Sequence, residues 1–425
     1  MWGLLAGLVG GLFIRAVTAM QPSTADAANW ICTNVLDPFG QIFLRLLFFV
    51  VVPLVFASLA LGVVQLGRLG RLGPLAFRTF SLFAFNMTIA VALGLIVMNV
   101  IKPGARLDSE TQSTLLQQFQ SGVQSLQEAA AARGGMSFSL LVEMFLPRNL
   151  LKSIVEFQLL PLIIFALLVG AAGTSLADDK RRRFQDGLEL LAELMTRIVH
   201  YALLLAPYAV AALLMSVVAK LGLDYLKALA LFTGAVLAAM AIQLFGTLTL
   251  LLKCFSRRRP ADFFRAVRTV LVTAFSTSSS SATLPTSIQV TREQLRVSPG
   301  TAGFVLPLGA TLNMSGTALF EGCVVLFVAQ VYGVDLTLGM QIQLVLLAVL
   351  SAVAVAGIPG GSLPLIMGLL VTFGLPAEGI ALVLGVDRLL DMARTVVNVA
   401  ADVATACIVD EAMNPQWIQT PDSAA

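Results

Sequence analysis

A chain of 425 residues that is 58% hydrophobic, 12% charged and of mean hydropathy +0.89 is too apolar for a water-soluble domain, because runs of about 20 apolar residues recur along it, the length that crosses a bilayer as a helix. A net charge of +3, with no basic run interleaved with aromatics, excludes a nucleic-acid binder. Four cysteines without paired spacing and one histidine exclude a disulfide framework, a zinc site and most histidine-dependent enzymology.

In chain order, apolar helices are expected from Trp2 to Ala19, Phe39 to Gln65, Phe77 to Ile101, Phe138 to Ala172, Leu188 to Lys220 and Tyr225 to Lys253. A cleaved signal peptide is the alternative for the first. It lacks a basic n-region, however, and carries Arg15 internally. Basic clusters follow the even-numbered spans: Arg68, Arg71 and Arg78 the second, Lys180 to Arg183 the fourth, Lys253 and Arg257 to Arg259 the sixth. These ends therefore face the cytoplasm. Cys32, Cys254, Cys323 and Cys407 are read as small core residues, and His200 as a helix-packing residue.

Beyond Arg259 the pattern becomes irregular. The stretch from Ala261 to Val290 is too broken for a lipid-facing span, and a full crossing would carry Arg292 and Arg296 to the wrong side. A re-entrant hairpin buried in protein fits both facts. Its expected tip is the run Ser276-Thr277-Ser278-Ser279-Ser280-Ser281-Ala282-Thr283-Leu284-Pro285. In a soluble protein that run would be a linker. Here small residues let backbone approach a ligand, and the free amides of a half-helix favour a carboxylate.

The next span, near Gly303 to Val331, carries Gly309-Ala310-Thr311-Leu312-Asn313-Met314-Ser315-Gly316-Thr317 at its middle. Asparagine and two glycines weaken the helix there, releasing carbonyls that a hard cation such as sodium uses; a packing kink is the bland alternative. An apolar stretch from Met340 to Phe373 is interrupted by Ala356-Gly357-Ile358-Pro359-Gly360-Gly361-Ser362, leaving halves too short to cross alone. Together with the serine run it points to an inverted repeat with its site at mid-membrane.

The last segment, DRLLDMARTVVNVAAD, places Asp387, Asp391, Arg394, Thr395, Asn398 and Asp402 within a stripe roughly 100° wide on one helix. Charges held at membrane depth face a protein interior or a water cavity along a substrate or ion pathway.

With these motifs in this order, and with DPFGQIFLRLL and PLVFASLALGV earlier, the chain resembles the glutamate transporter homologues, the dicarboxylate/amino acid:cation symporter family, over nearly its whole length. The resemblance implies an all-α polytopic membrane protein: eight transmembrane helices plus two re-entrant helical hairpins, in inverted repeats, moving as an elevator and assembled as a homotrimer in a bacterial inner membrane. Helices 1 and 2 (1–76) and 4 and 5 (138–220) would form a scaffold. Helix 3 (77–101) would join a transport domain over 221–411, comprising helix 6, hairpin 1 (about 260–292), helix 7 (about 299–332), hairpin 2 (about 338–374) and helix 8 (about 377–411). A periplasmic loop (102–137) and a cytoplasmic tail (412–425) complete the chain.

The resemblance also assigns roles. Asp391 would take a substrate ammonium and Arg394 a side-chain carboxylate, for which its planar fork is suited. Asn398 and hairpin amides near Ser279 and Ser280 would hold the α-carboxylate, with Thr317, Thr395 and Gly357 completing the site. A structural Asp391/Arg394 ion pair at i,i+3 is the bland alternative. Family members for dicarboxylates without an amino group tend not to keep an aspartate at the Asp391 position, so aspartate or glutamate is the expected substrate.

No covalent cofactor is expected; the coupling ion is H+ and/or Na+. One sodium site would use Asp402, Asn398, Gly309 and Asn313. A second would rely on Thr311 and hairpin carbonyls, where Ala352-Val353-Ala354-Val355 replaces a more polar segment. A third is expected to be lost, because Ser315 stands at its carboxylate position and Asn86 and Met87 at its hydroxyl positions. Glu321 matches the glutamate of proton-coupled members, with a helix-end salt bridge as its bland alternative, and proton coupling is the favoured reading. The arginine that some members carry beside the serine run, and others one residue after the ammonium-binding aspartate, is absent: Ser278 and Met392 stand there. A channel or anion conductance lined by the same stripe is the alternative of another class. A serine hydrolase is disfavoured, because no histidine or lysine is placed to act as its base.

Overall fold

The computed structural model describes residues 2–68, 73–106, 146–155, 159–355, 357 and 359–413. The start of the expected Phe138 to Ala172 span, most of the 102–137 loop and all but the first two residues of the tail lie outside them.

Among the described residues every regular element is helical, as hydrocarbon requires of a backbone that must satisfy its own polar groups. Six helical stretches are long and apolar enough to cross a membrane: Ala25–Val64, Gly73–Arg106, Asp178–Lys220, Tyr225–Phe255, Pro299–Val331 and Ala377–Met413. Shorter apolar helices run over Leu5–Met20, Pro161–Thr174, Leu338–Val353 and Leu363–Thr372. The two stretches that carry the polar motifs are the most enclosed: the apolar 18-residue core of Pro299–Val331 is 94% buried and that of Ala377–Met413 83%, against 39% for the cores of Gly73–Arg106 and Asp178–Lys220. Protein rather than lipid therefore surrounds the motifs.

Between Arg259 and Phe373 the chain forms two pairs of short helices around a broken one. The first pair is Arg268–Thr277 and Ser280–Glu293, and the second is Leu338–Val353 and Leu363–Thr372. Between them, Pro299–Leu312 and Ser315–Val331 are separated only by Asn313 and Met314, whose ψ angles of 72° and 57° leave the helical region. The break thus falls at Asn313–Met314, and Gly309 stays inside the first half. The last helix, Ala381–Met413, packs against both halves of the broken helix and both arms of the serine-rich pair.

Two expectations are corrected. Residues 221–224, read as a break between the fifth and sixth spans, remain helical within Asp178–Ala241, because a lone Gly222 costs a helix only roughly 1 kcal/mol. A π-helical turn over Ile242–Thr247 follows. Cys254, read as a small core residue, is exposed, unlike Cys32, Cys323 and Cys407; His200 is exposed on the same face as Arg197, Tyr201, Leu204 and Tyr208, residues that recur at helical spacing on the outer stripe.

Candidate functional site

Six polar side chains of the last helix, Asp387, Asp391, Arg394, Thr395, Asn398 and Asp402, are all buried. The 3.6-residue period places them on one side, and apolar residues such as Leu390, Val397 and Val403 pack around them.

Arg394 is 2% exposed. Its Nε donates to Asp391 Oδ1 at 2.8 Å, and a terminal nitrogen lies 2.8 Å from the same oxygen. The other terminal nitrogen reaches Asp387 Oδ1 at 3.4 Å, while the guanidinium sits 4.8 Å above the Phe320 ring. Asp387, which the sequence leaves without a role, is thus the second anion of this cluster. In this conformation Asp391 and Arg394 neutralise each other, as a buried pair must when no other counter-ion is at hand.

Asn398 organises the break in the neighbouring helix. Its carbonyl oxygen accepts from the Gly316 N–H at 2.7 Å and the Thr317 N–H at 3.4 Å, while its amide nitrogen donates to Thr317 Oγ1 and to Met314 Sδ, both at 3.2 Å. The first N–H groups of a helix have no partner within it, and here a side chain from another helix supplies one. Gly316 lets the two backbones come this close, since a Cβ there would lie 2.4 Å from the Arg394 carbonyl oxygen.

The tips of the two short-helix pairs meet over the cluster. Ser279 caps Ser280–Glu293 by accepting from the Ala282 N–H at 3.2 Å, and its hydroxyl donates to the Gly357 carbonyl oxygen at 2.7 Å. Gly360, at φ +71°, donates its N–H to Asp391 Oδ2 at 3.1 Å, in a backbone region that glycine enters without strain. Beneath the tips lies a small pocket lined by Ser278, Ser280, Thr317, Ser362, Asp391 and Arg394 among others.

Of the residues read from the sequence, Ser280, Thr317, Gly357, Asp391, Arg394, Thr395 and Asn398 line this cavity, and Ser279 joins its roof. Thr395 donates its hydroxyl to the Asp391 carbonyl oxygen at 2.8 Å. The sequence reading missed Ser278 and Ser362, whose buried hydroxyls lack a hydrogen-bond partner among the described residues. Both belong to motifs already singled out, and a polar residue at a motif's edge was the available signal.

The cation candidates divide. Asp402 Oδ1 accepts from Asn313 Nδ2 at 2.9 Å, Asn313 Oδ1 is buried without a partner, and Gly309 faces the carboxylate so closely that a Cβ would fall 2.4 Å from Oδ1. One carboxylate, a spare amide oxygen and nearby backbone carbonyls suit a hard monovalent cation. Thr311, by contrast, is exposed, and its hydroxyl turns back to the Leu308 carbonyl oxygen at 3.0 Å. Asn86, placed with Ser315 in the third candidate site, accepts on its Oδ1 from Gln243 Nε2 of the π-helical turn at 2.9 Å, and Met87 is a buried thioether. Glu321 is fully buried beside Ser351, and neither carboxyl oxygen has a hydrogen-bond partner among the described residues. A bare carboxylate there is costly.

Known proteins are similar to this chain along most of its length. The chain is 33% identical over 406 residues to a proton/sodium-glutamate symport protein of Bacillus subtilis (strain 168), an alignment covering 95% of this chain and 92% of that one. It is 30% identical over 419 residues to a proton/glutamate-aspartate symporter of Escherichia coli (strain K12), covering 96% and 91%. A C4-dicarboxylate transport protein of Bacillus subtilis (strain 168) is 28% identical over 411 residues, covering 96% and 94%. The names point to a transporter and not to an enzyme. With residues 1–412 matching the model of the sodium:dicarboxylate symporter family, the chain belongs to that family.

Proposed function

We propose that this protein is a secondary active symporter that takes up acidic amino acids, aspartate or glutamate, coupled to a cation gradient in which protons are favoured over sodium. The observation that carries the reading is the buried Asp391–Arg394 pair roofed by Gly360 and the Ser279–Gly357 contact. An amino diacid brings one ammonium and two carboxylates, so it exchanges the internal pair for two charge-assisted pairs: ammonium to Asp391 and side-chain carboxylate to Arg394. Asn398, Thr317, Thr395 and the amides at Ser279 and Ser280 would receive the α-carboxylate. The unpaired Ser278 and Ser362 hydroxyls support a further polar ligand at this place.

For coupling, Asp402 and Asn313 would hold one sodium ion with Gly309 and Asn398. The third sodium site is lost, because an amide pair, a thioether and a serine offer no anionic ligand. Glu321 would carry a proton, since protonation removes an otherwise unpaired buried charge. The relatives' names, one proton/sodium and one proton alone, fit either ion; sodium-coupled uptake of acidic amino acids or dicarboxylates is the second reading. The family architecture of eight spans and two re-entrant hairpins fits the two pairs of short helices, and an elevator-type transport domain, a homotrimer and a bacterial inner membrane complete the proposal.

Uptake of labelled aspartate into proteoliposomes with sodium and pH gradients imposed separately tests the coupling. Uptake driven by an inward proton gradient is expected. Strict dependence on sodium, with no response to pH, defeats it.

A further inference from the structure

Arg388 lies one helical turn before Asp391 and faces outward, its side chain 53% exposed, yet one terminal nitrogen comes 3.8 Å from Asp391 Oδ2. Asp391 is its only ion-pair partner among the described residues. The two oxygens of Asp391 are thus divided between two arginines: buried Arg394 on Oδ1, half-exposed Arg388 on Oδ2, where the Gly360 N–H also binds. The first arginine has a second carboxylate beside it in Asp387. The second is long and flexible and half exposed on this chain, so packing does not lock it in place.

Resting on the acidic-substrate reading above, we propose that Arg388 is a movable counter-ion for Asp391 that sets discrimination between amino diacids and diacids without an amino group. When a substrate carboxylate draws Arg394 off Asp391, that aspartate needs another cation, because an uncompensated buried carboxylate is strongly unfavourable. Aspartate supplies one in its ammonium, and Arg388, repelled by it, swings away from Asp391. Succinate supplies none, and Arg388 stays. The side chain therefore makes the site tolerant of C4 diacids while leaving the preference for amino acids to Asp391. Arg388 acts through Asp391 and is a positioning residue, so the ratio between two substrates reads its role, which a general structural defect would not move.

The test uses full-length protein in proteoliposomes, with labelled aspartate uptake competed by unlabelled succinate or unlabelled aspartate, for the native chain, Arg388→Gln, Arg388→Met and Arg388→Lys. Loss of a half-exposed charge partner predicts that the succinate-to-aspartate ratio of half-inhibitory concentrations rises about 10-fold in Arg388→Gln and Arg388→Met. It should stay within about 3-fold of native in Arg388→Lys, which keeps the charge. An unchanged ratio in both neutral variants, or a native protein that takes up aspartate but is never competed by succinate, overturns the proposal while leaving the acidic amino acid reading standing. A native protein that takes up no aspartate overturns both.

Discussion

Replacing Arg394 with cysteine is expected to abolish binding of acidic substrates while leaving the site open to neutral amino acids. The guanidinium is the buried cation facing the cavity, and truncating one partner of a buried charge pair costs about 2–5 kcal/mol, on the order of 10²–10³-fold in affinity. A small neutral side chain preserves Asp391 for an ammonium and Asn398 for an α-carboxylate, so specificity should change rather than vanish. The same substitution leaves Asp387 and Asp391 short of a counter-ion, so a thermal unfolding curve belongs beside the uptake data to separate binding from stability. Competition of labelled aspartate by unlabelled aspartate and by a neutral amino acid such as serine checks the result. Unchanged aspartate affinity in a folded variant removes the carboxylate assignment and leaves the Asp391–Arg394 pair as structure alone.

Glu321→Gln is the second large effect. Glutamine has the same shape and cannot take up or release a proton, so uptake driven by a pH gradient should fall on the order of 10-fold or more. Exchange of internal for external aspartate should persist, because it needs no net proton movement. The position favours a clean result, as Glu321 sits fully buried beside Ser351 and glutamine fills the same space. Proton-driven uptake at the native rate in Glu321→Gln would transfer coupling to another group, with the buried Asp402 the next candidate.

Much of this site is legible in the sequence because helical periodicity alone decides which residues share a face. Asp387 through Asp402 needed no tertiary knowledge to be aligned, and Asn313 with its flanking glycines marked the helix break to within a few residues. Small-residue runs at 276–285 and 356–362 likewise announced the tips. What stayed hidden depends on contacts between segments far apart in the chain. That Gln243 bonds Asn86 requires a π-helical turn 157 residues away, and no pattern in either segment signals it. The outward turn of Thr311 follows from its hydroxyl finding the Leu308 carbonyl, a local competition that composition does not reveal. The second arginine at Asp391 was overlooked for a different reason. Arg388 lies just outside the polar stripe, yet it stands at the same i,i+3 spacing from Asp391 as Arg394 does, and that spacing was the available signal.

The central claim is that ligand passage is concentrative and driven by a cation gradient. The most direct measurement is the ratio of internal to external labelled aspartate in proteoliposomes holding purified protein, with an inward proton gradient imposed. The account predicts a ratio that rises well above one and collapses when the gradient is dissipated. A ratio that approaches one and never exceeds it, with the gradient intact, would mean a passive pathway and contradict it.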